Sequence, residues 1–314
     1  MEGFYYYDKE GVVKMKDPIV FLCSDIKRED AYKLIEWLKD PAIIRYLSDS
    51  HNTASQLQQV VENTNLPVLN HLFNHNGQLF MIIDQHKKPI GFMRLINKNS
   101  YHEIVIVIGE KSYWHKQYGT KAIKESLRLA FLNLRIKEVV AKIHHDNQFS
   151  ILAFTKTGFI TKQKNERMLT MSLNVNQYLQ WQKMLRAKAD DIIMTLIDYT
   201  RIKALIKVID DQDAIALKQE IDKAIVVDGQ QIQNDVVTMN SVVVVKVDDQ
   251  IKKGQLTYDR KVDPNAIAIT SKLGTALIGY KKGQKLKWQF GNKVADIYIM
   301  ELLYQPEAAG DYNL

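Results

Sequence analysis

The stretch from Glu103 to Ala122 gathers the groups in this sequence best suited to do chemistry. Glu103–Ile108 is almost wholly β-branched and reads as a strand buried on both faces. Trp114, His115, Lys116, Gln117, Tyr118, Gly119 and Thr120 follow at the junction with a helix. The first backbone N–H groups of a helix have no acceptor within it and carry partial positive charge. Such a junction is therefore a natural seat for a pyrophosphate. Gly119 permits close approach to the backbone, and Lys116 and Lys121 add charge. A glycine before a helix is also common where nothing binds, so the pattern alone names a place and not a ligand.

Other polar clusters are less specific. The segment 49–78 is rich in Asn and His (His51, His71, His75), but their spacing is irregular for a metal, and a polar loop is the expectation. Asp210, Asp211 and Asp213 read as a turn that caps a helix. No metal site is expected. A single cysteine, Cys23, excludes an internal disulfide framework and suits a reducing compartment. The N-terminus lacks a signal-peptide pattern, and no apolar run nears the roughly 18 residues that cross a bilayer. A cytoplasmic protein with no membrane association is the expectation. Residues 1–180 hold 24 basic and 18 acidic side chains, and 181–314 hold 19 and 18, so the +7 charge divides as +6 and +1. The front excess fits an anionic ligand, and it fits a merely soluble surface as well. No basic stripe interleaved with aromatics is present, so direct sequence-specific nucleic-acid binding is not expected.

These groups need a scaffold, and a chain of 314 residues is long enough for two cores. Apolar periodicity predicts a helix over Glu29–Leu38, with Asp40–Pro41 as punctuation. Strands are predicted at Leu79–Asp84, Gly91–Ile96, Glu103–Ile108 and Val139–Ile143. Ile123, Leu127, Ala130, Phe131 and Leu134 recur at helical spacing over 120–134, and Ser150–Lys156 reads as a short helix stopped by Gly158. This α/β part spans 1–175, and 176–190 is a connecting helix without a Gly/Ser- or Pro-rich linker, a composition favouring docked over loosely tethered parts. Two stripes, Ile202–Leu205–Ile206–Ile209 and Leu217–Ile221–Ala224, make a short antiparallel hairpin over 191–227. Helices of about 12 residues would project only about 18 Å. From 228 to 314 the period falls to two, with strands at Ser241–Val247, Gly254–Tyr258, Ala266–Thr270, Lys285–Phe290 and Val294–Leu303 and a hairpin turn at Gly291–Asn292.

Three motifs in order give the front part a family resemblance. Trp37–Leu38–Lys39–Asp40–Pro41, the Tyr113–Ala122 loop, and Asn147, Ser150 and Gly158–Phe159 resemble the GNAT acetyltransferases, especially the ribosomal-protein and spermidine acetyltransferase branch. The resemblance covers about residues 20–172 and implies a mixed sheet whose central parallel strands splay around acetyl-CoA. It implies that Ile106, Val107 and Ile108 offer backbone groups to the pantetheine arm. Trp114 to Thr120 would then line the pyrophosphate, with Asn147, Ser150 and Phe154 beside the cofactor. An amine acceptor, a small molecule or a protein, would be acetylated, with segments such as 49–78 forming its side of the site. The chemistry needs a base, for which Glu103 is the candidate, with His102 and His144 as alternatives. Two positions depart from the pattern: Gln117 replaces a glycine of the loop, and Phe154 stands where many members have a tyrosine acid. They keep open a second reading, a weak or inactive GNAT domain that senses CoA or serves as scaffold.

The back part carries its own resemblance, over roughly 183–314. Asp235–Ser241, Leu273–Gly279 and Tyr304–Tyr312 resemble the nucleoside diphosphate kinase regulators, relatives of the Gre transcription factors. This implies an FKBP-like α+β domain that docks at the secondary channel of bacterial RNA polymerase. The hairpin is short, so the acidic tip, which could in principle hold Mg²⁺ in a long-hairpin Gre factor, is read as a solvated turn. Tyr304–Gln305–Pro306 is expected to fix the last strand by packing.

Overall fold

The computed structural model describes residues 5–7, 13–15, 18–47, 53–188, 191–208, 212–258, 265–290 and 293–312. The chain divides into two compact units, Met1–Val175 and Asn176–Leu314.

In the first unit a two-stranded pair, β1 (Tyr5–Tyr7) and β2 (Val13–Met15), precedes the main sheet. The sheet is built from β3 (Val20–Cys23), β4 (Gly77–Asp84), β5 (Pro89–Asn97), β6 (His102–Ile108), β7 (Glu138–His144), β8 (Ile160–Lys164) and β9 (Met168–Asn174). Its order is β3-β4-β5-β6-β7-β9-β8. Of these pairings β6 with β7 is parallel, and the others are antiparallel. On one face α1 (Arg28–Lys39), α2 (Pro41–Ile44), α3 (Thr53–Asn63) and α4 (Asn70–Phe73) cover the strands. Leu34, Ile35 and Trp37 there share a buried cluster with Val61, Leu69, Phe92 and Val107. On the other side α5 (Tyr118–Arg128) packs on β3 and β6, followed by α6 (Gln148–Thr155).

Three expectations need correction. Segment 49–78 is not simply a polar loop: it holds α3 and α4, and the buried Val61, Leu69 and Phe73 hold both helices to the core. His71 and His75 are exposed there, and His51 lies outside the described residues. Strand β6 is not buried on both faces, since Val105, Ile106 and Ile108 remain partly accessible where its neighbour diverges. The helix read over 120–134 ends at Arg128 and continues as a π-turn, Leu129–Asn133. The wider turn rotates the stripe, leaving Ala130 and Phe131 buried but Leu134 36% exposed. Strands β3, β8 and β9 were not separated by pattern alone.

The helix α7 (Val175–Leu185) spans the boundary. In the second unit β10 (Ile193–Thr195) leads into α8 (Leu196–Val208), α9 (Gln212–Ile221) and β11 (Ile225–Val227), and β10 pairs in parallel with β11. Asp210 and Asp211 lie outside the described residues, Asp213 is described only as backbone of α9, and Ile209 and the Gly291–Asn292 turn are likewise outside. A five-stranded sheet follows from β12 (Val242–Val247), β13 (Gln250–Thr257), β14 (Ala266–Ala268), β15 (Lys285–Phe290) and β16 (Lys293–Tyr304), in the order β14-β13-β12-β16-β15. Between β14 and β15 sits α10 (Lys272–Leu277), capped by Ser271, and α11 (Pro306–Ala309) follows β16. The apolar stripes of the helical hairpin are not free. Ile202, Leu217 and Ile221 are fully buried in one cluster with Val243, Val245, Ile297 and Ile299. Gly279 closes this core at φ +78°, where an added Cβ would lie 2.0 Å from Ile192 Cγ2.

Two of the recognised back-half motifs form one hydrogen-bonded assembly. Gln305 Nε2 donates to the carbonyls of Gln233 and Val236 at 2.9 and 2.8 Å. Thr238 Oγ1 donates to Glu307 Oε2 at 2.7 Å, and Tyr304 donates its hydroxyl to Asp311. The expected packing role of Tyr304–Gln305–Pro306 is therefore largely polar bridging. Nearby Asp198, 3% exposed, accepts from the Met239 N–H at 3.1 Å and the Tyr258 hydroxyl at 3.3 Å. Burial pushes both Asp198 and Glu307 above the usual carboxylate range, and their hydrogen bonds offset this only in part. A carboxyl whose folded pKa is raised favours folding most below its unfolded value, about 4, and loses that contribution as pH rises through the folded value. In urea melts, Glu307→Gln should match the parent near pH 4 and become the more stable protein towards neutrality. A difference that does not change with pH would refute the strained-carboxylate account.

Candidate functional site

The site is organised by where β6 and β7 part. They pair only at His102↔Val139 and Glu103↔Val140. Beyond that, β6 stays registered on β5 as far as Gly91↔Ile108, and β7 on β9 as far as His144↔Met168. The facing edges of Ile104–Ile108 and Ala141–His144 are thus left without strand partners, which opens a cleft. Of the three residues expected to offer backbone groups there, Ile106 and Val107 lie along the open edge. The Ile108 carbonyl is already taken by the Trp114 indole, whose Nε1–H donates to it at 2.7 Å.

At the mouth of the cleft stands the N-terminus of α5. Lys121 N–H is the first to bond back, to the Gln117 carbonyl at 3.0 Å, and no side chain caps the helix. The N–H groups of Tyr118, Gly119 and Thr120 therefore point out of the helix end. An added Cβ at Gly119 would meet only Ile108 Cγ1, at 3.9 Å, so the approach is open. Gln117 holds φ +63° and His115 φ +59°. The left-handed turn that the family's glycine allows is thus present, with glutamine in it.

The loop that leads there is anchored from three sides. The Trp37 ring lies against the Gly109 backbone, where a Cβ would sit 2.2 Å from it. Lys111 Nζ pairs with Asp40 Oδ2 at 2.6 Å, and Lys33 Nζ with Glu110 Oε1 at 3.3 Å. The third anchor, Asp84, was not singled out from sequence. It is 3% exposed, and its carboxylate accepts from the His86 and Lys88 N–H groups at 2.9 Å each and from the Tyr113 hydroxyl at 2.8 Å. Burial pulls its pKa upward, but the Lys88 N–H and the Tyr113 hydroxyl outweigh this and hold it below the usual value. Burial and the Asp84 carboxylate together push the Tyr113 hydroxyl up to about 12. Tyr113 in turn meets Tyr118 edge-on, ring centroids 4.8 Å apart. The only trace of this in the sequence is an aspartate opening the polar turn before Pro89.

The candidate acid–base groups are spread out. Glu103 sits at the closed end of the cleft, where Lys142 Nζ approaches its Oε2 at 2.9 Å, and this contact raises the Lys142 pKa. His144 lies further along β7 beside the Tyr46 ring, with centroids 5.7 Å apart. Its Nδ1 accepts the Asp146 N–H at 3.2 Å, so the neutral ring carries its hydrogen on Nε2. His102 starts β6, and burial lowers its pKa. Asn147 caps α6 by accepting the Ser150 N–H at 3.2 Å. Phe154 turns into the core edge-on to Phe159, centroids 4.9 Å apart, and Trp114 and Tyr118 likewise point inward from the loop. His115 and Lys116 are exposed.

Removing the Tyr113 hydroxyl should test the Asp84 anchor. Tyr113→Phe should destabilise the protein by about 1.5–3 kcal/mol in urea at neutral pH. Because the folded pKa of Asp84 is depressed, this stabilisation is present above the ordinary aspartate range and lost as pH falls through the folded value. The gap between variant and parent should therefore narrow under acid.

Comparison with known proteins matches both parts. The model of the acetyltransferase (GNAT) domain family fits residues 23–160, and that of the transcription elongation factor GreA/GreB C-terminal family fits residues 232–304. The regulator of nucleoside diphosphate kinase of Escherichia coli K12 is 38% identical over 106 residues, which are 32% of this chain and 78% of that protein. Among solved structures, spermidine N-acetyltransferase from Vibrio cholerae, in complex with CoA and spermine, aligns at 17% identity over 51% of this chain and 98% of its own, with TM-score 0.44. A GreA/GreB elongation factor from Nitrosomonas europaea aligns at 30% identity over 36% of this chain and 98% of its own, with TM-score 0.32. The chain is therefore a GNAT acetyltransferase domain joined to a GreA/GreB C-terminal domain, and through the latter it belongs to the family of the regulator of nucleoside diphosphate kinase.

Proposed function

We propose that the first unit binds acetyl-CoA and acetylates an amine, and that the second unit carries this activity to bacterial RNA polymerase. The observation that carries the first half is the cleft between β6 and β7 with unsatisfied N–H groups of α5 at its mouth. An extended, amide-bearing arm fits the free edge at Ile106 and Val107, and a pyrophosphate fits the N–H groups of Tyr118, Gly119 and Thr120. From Ile108 back to Glu103 is five residues, about 16 Å of strand. Acetyl-CoA supplies a thioester whose acyl carbon a neutral amine can attack.

Glu103, at the closed end, is the group placed to take the proton of the attacking amine, directly or through a water. Lys142 engages its Oε2 at 2.9 Å, which leaves Oε1 for that proton. His144 in its neutral form presents a donor at Nε2, which suits orienting an acceptor better than deprotonating one. Phe154 has no proton to give, so a proton for the leaving sulfur would come from water or another group, or the thiolate would leave unprotonated. The same facts favour a second reading, a domain that binds CoA without efficient turnover. Calorimetry with acetyl-CoA separates both from a relic fold. The parent should bind in the micromolar range, and Gly119→Glu, which sets a carboxylate among the N–H groups, should abolish binding. Absence of binding by the parent would end the acetyl-CoA reading. Release of free thiol with an amine acceptor then distinguishes turnover from sensing.

The match with the nucleoside diphosphate kinase regulator supports the polymerase half. Attachment there would raise the local concentration of an acceptor on the polymerase to roughly millimolar. The full chain should be retained on immobilised bacterial RNA polymerase and be displaced by other secondary-channel factors. With its hairpin stripes buried in the domain core, it should not stimulate transcript cleavage. Rescue of arrested complexes would refute that part.

A further inference from the structure

We propose that Phe149 and His115 form an aromatic platform for the adenine ring of the CoA carrier. This rests on reading the first unit as a CoA-binding domain. Phe149 is 70% exposed, the highest value for a large hydrophobic side chain among the described residues. It is the second residue of α6, just after the Asn147 cap. The other phenylalanine of that helix, Phe154, is buried against Phe159, so the core does not require a ring at Phe149. Its contact is with His115, edge-on, centroids 4.4 Å apart and planes inclined by 63°.

His115 belongs to the loop that delivers the N–H groups of Tyr118, Gly119 and Thr120. It adopts a left-handed φ of +59°, a conformation that glycine accepts more readily. The loop thus keeps a ring-bearing residue at a strained position, and that ring borders the exposed Phe149. A diphosphate seated on the α5 N-terminus places any attached nucleoside within a few ångströms of the loop. Phe149 gives that nucleoside an exposed aromatic face, braced edge-on by His115 of the same loop. Purine–aromatic stacking tolerates different bases and weakens when the ring is truncated to alanine, by roughly 5- to 100-fold in affinity.

The test compares acetyl-CoA with S-acetyl-4′-phosphopantetheine, which lacks the 3′-phospho-AMP part and so keeps one phosphate but no base, on the full chain by calorimetry, with displacement titration for weak ligands. Phe149→Ala should weaken acetyl-CoA binding roughly 5- to 100-fold and leave acetyl-phosphopantetheine unchanged, while Phe149→Trp keeps the parent's preference. Thermal melting, expected unchanged for so exposed a site, checks the fold of both variants. If Phe149→Ala binds acetyl-CoA like the parent, the platform is refuted and the cofactor reading stands. Equal loss on both ligands refutes it too, since the ring would then only support the loop. A parent chain that binds neither ligand overturns the cofactor reading, and the platform with it.

Discussion

The first unit depends on one interrupted ladder. Two parallel strands that stayed paired throughout would make an ordinary buried sheet centre with no access to its backbone. Here the pairing of β6 and β7 stops after Glu103↔Val140, because each strand is held more extensively by its antiparallel neighbour. Unpaired backbone at a buried position is costly unless a partner or water satisfies it. A cleft of this kind therefore leaves backbone groups for water or an extended polar ligand to satisfy. The partial exposure of Ile106 and Ile108 expresses the same opening on the side-chain level.

Keeping such an opening requires stiffness around it. The end of β6 is held by the Trp114 indole on the Ile108 carbonyl and by the Trp37 ring against Gly109. The loop beyond is fixed by a buried carboxylate, Asp84, that donates nothing and accepts from a tyrosine and two backbone groups. Charge-assisted hydrogen bonds of this type are short and directional, which suits a loop whose backbone must be presented in one orientation. The second unit solves a comparable problem with another chemistry. Its C-terminal motif reaches back through Gln305 and Glu307 to the residues that open its sheet, so that strands β12 and β16 are tied outside their ladder as well as within it.

Much of this was legible in the sequence because it rests on period and on glycine. The apolar runs of β4 and β5, the alternation of β15 and β16 and the helical stripe Ile123–Leu127 are local patterns, and the structure carries them within a residue or two. What escaped were features that depend on distant partners. The helix α3 presents few large apolar residues, and its burial hangs on Val61 alone being fully enclosed among α1 residues. Asp84 reads as a turn aspartate until Tyr113 is brought beside it from 29 positions away. The ion pair that occupies Glu103 crosses from β6 to β7, and the register that creates it cannot be read from either strand.

The glutamine at position 117 shows how far a motif departure reaches. A glycine there would enter the left-handed region without steric cost, whereas a side chain costs about 1–2 kcal/mol. Gln117 takes that conformation nonetheless, at φ +63°, and its carbonyl still receives the first helical bond from Lys121. The surrounding anchors at Trp37, Asp84 and Lys111 outnumber the strain at this single residue and hold the turn. The substitution therefore lowers stability locally and leaves the direction of the N–H groups intact. Phe154 is a different kind of departure. Its ring packs edge-on to Phe159 in the core and carries no hydroxyl, and no anchoring elsewhere supplies one at that place. On the proposed acetyltransferase reading Phe154 is the departure that bears on the rate, while Gln117 bears on the stability of the loop.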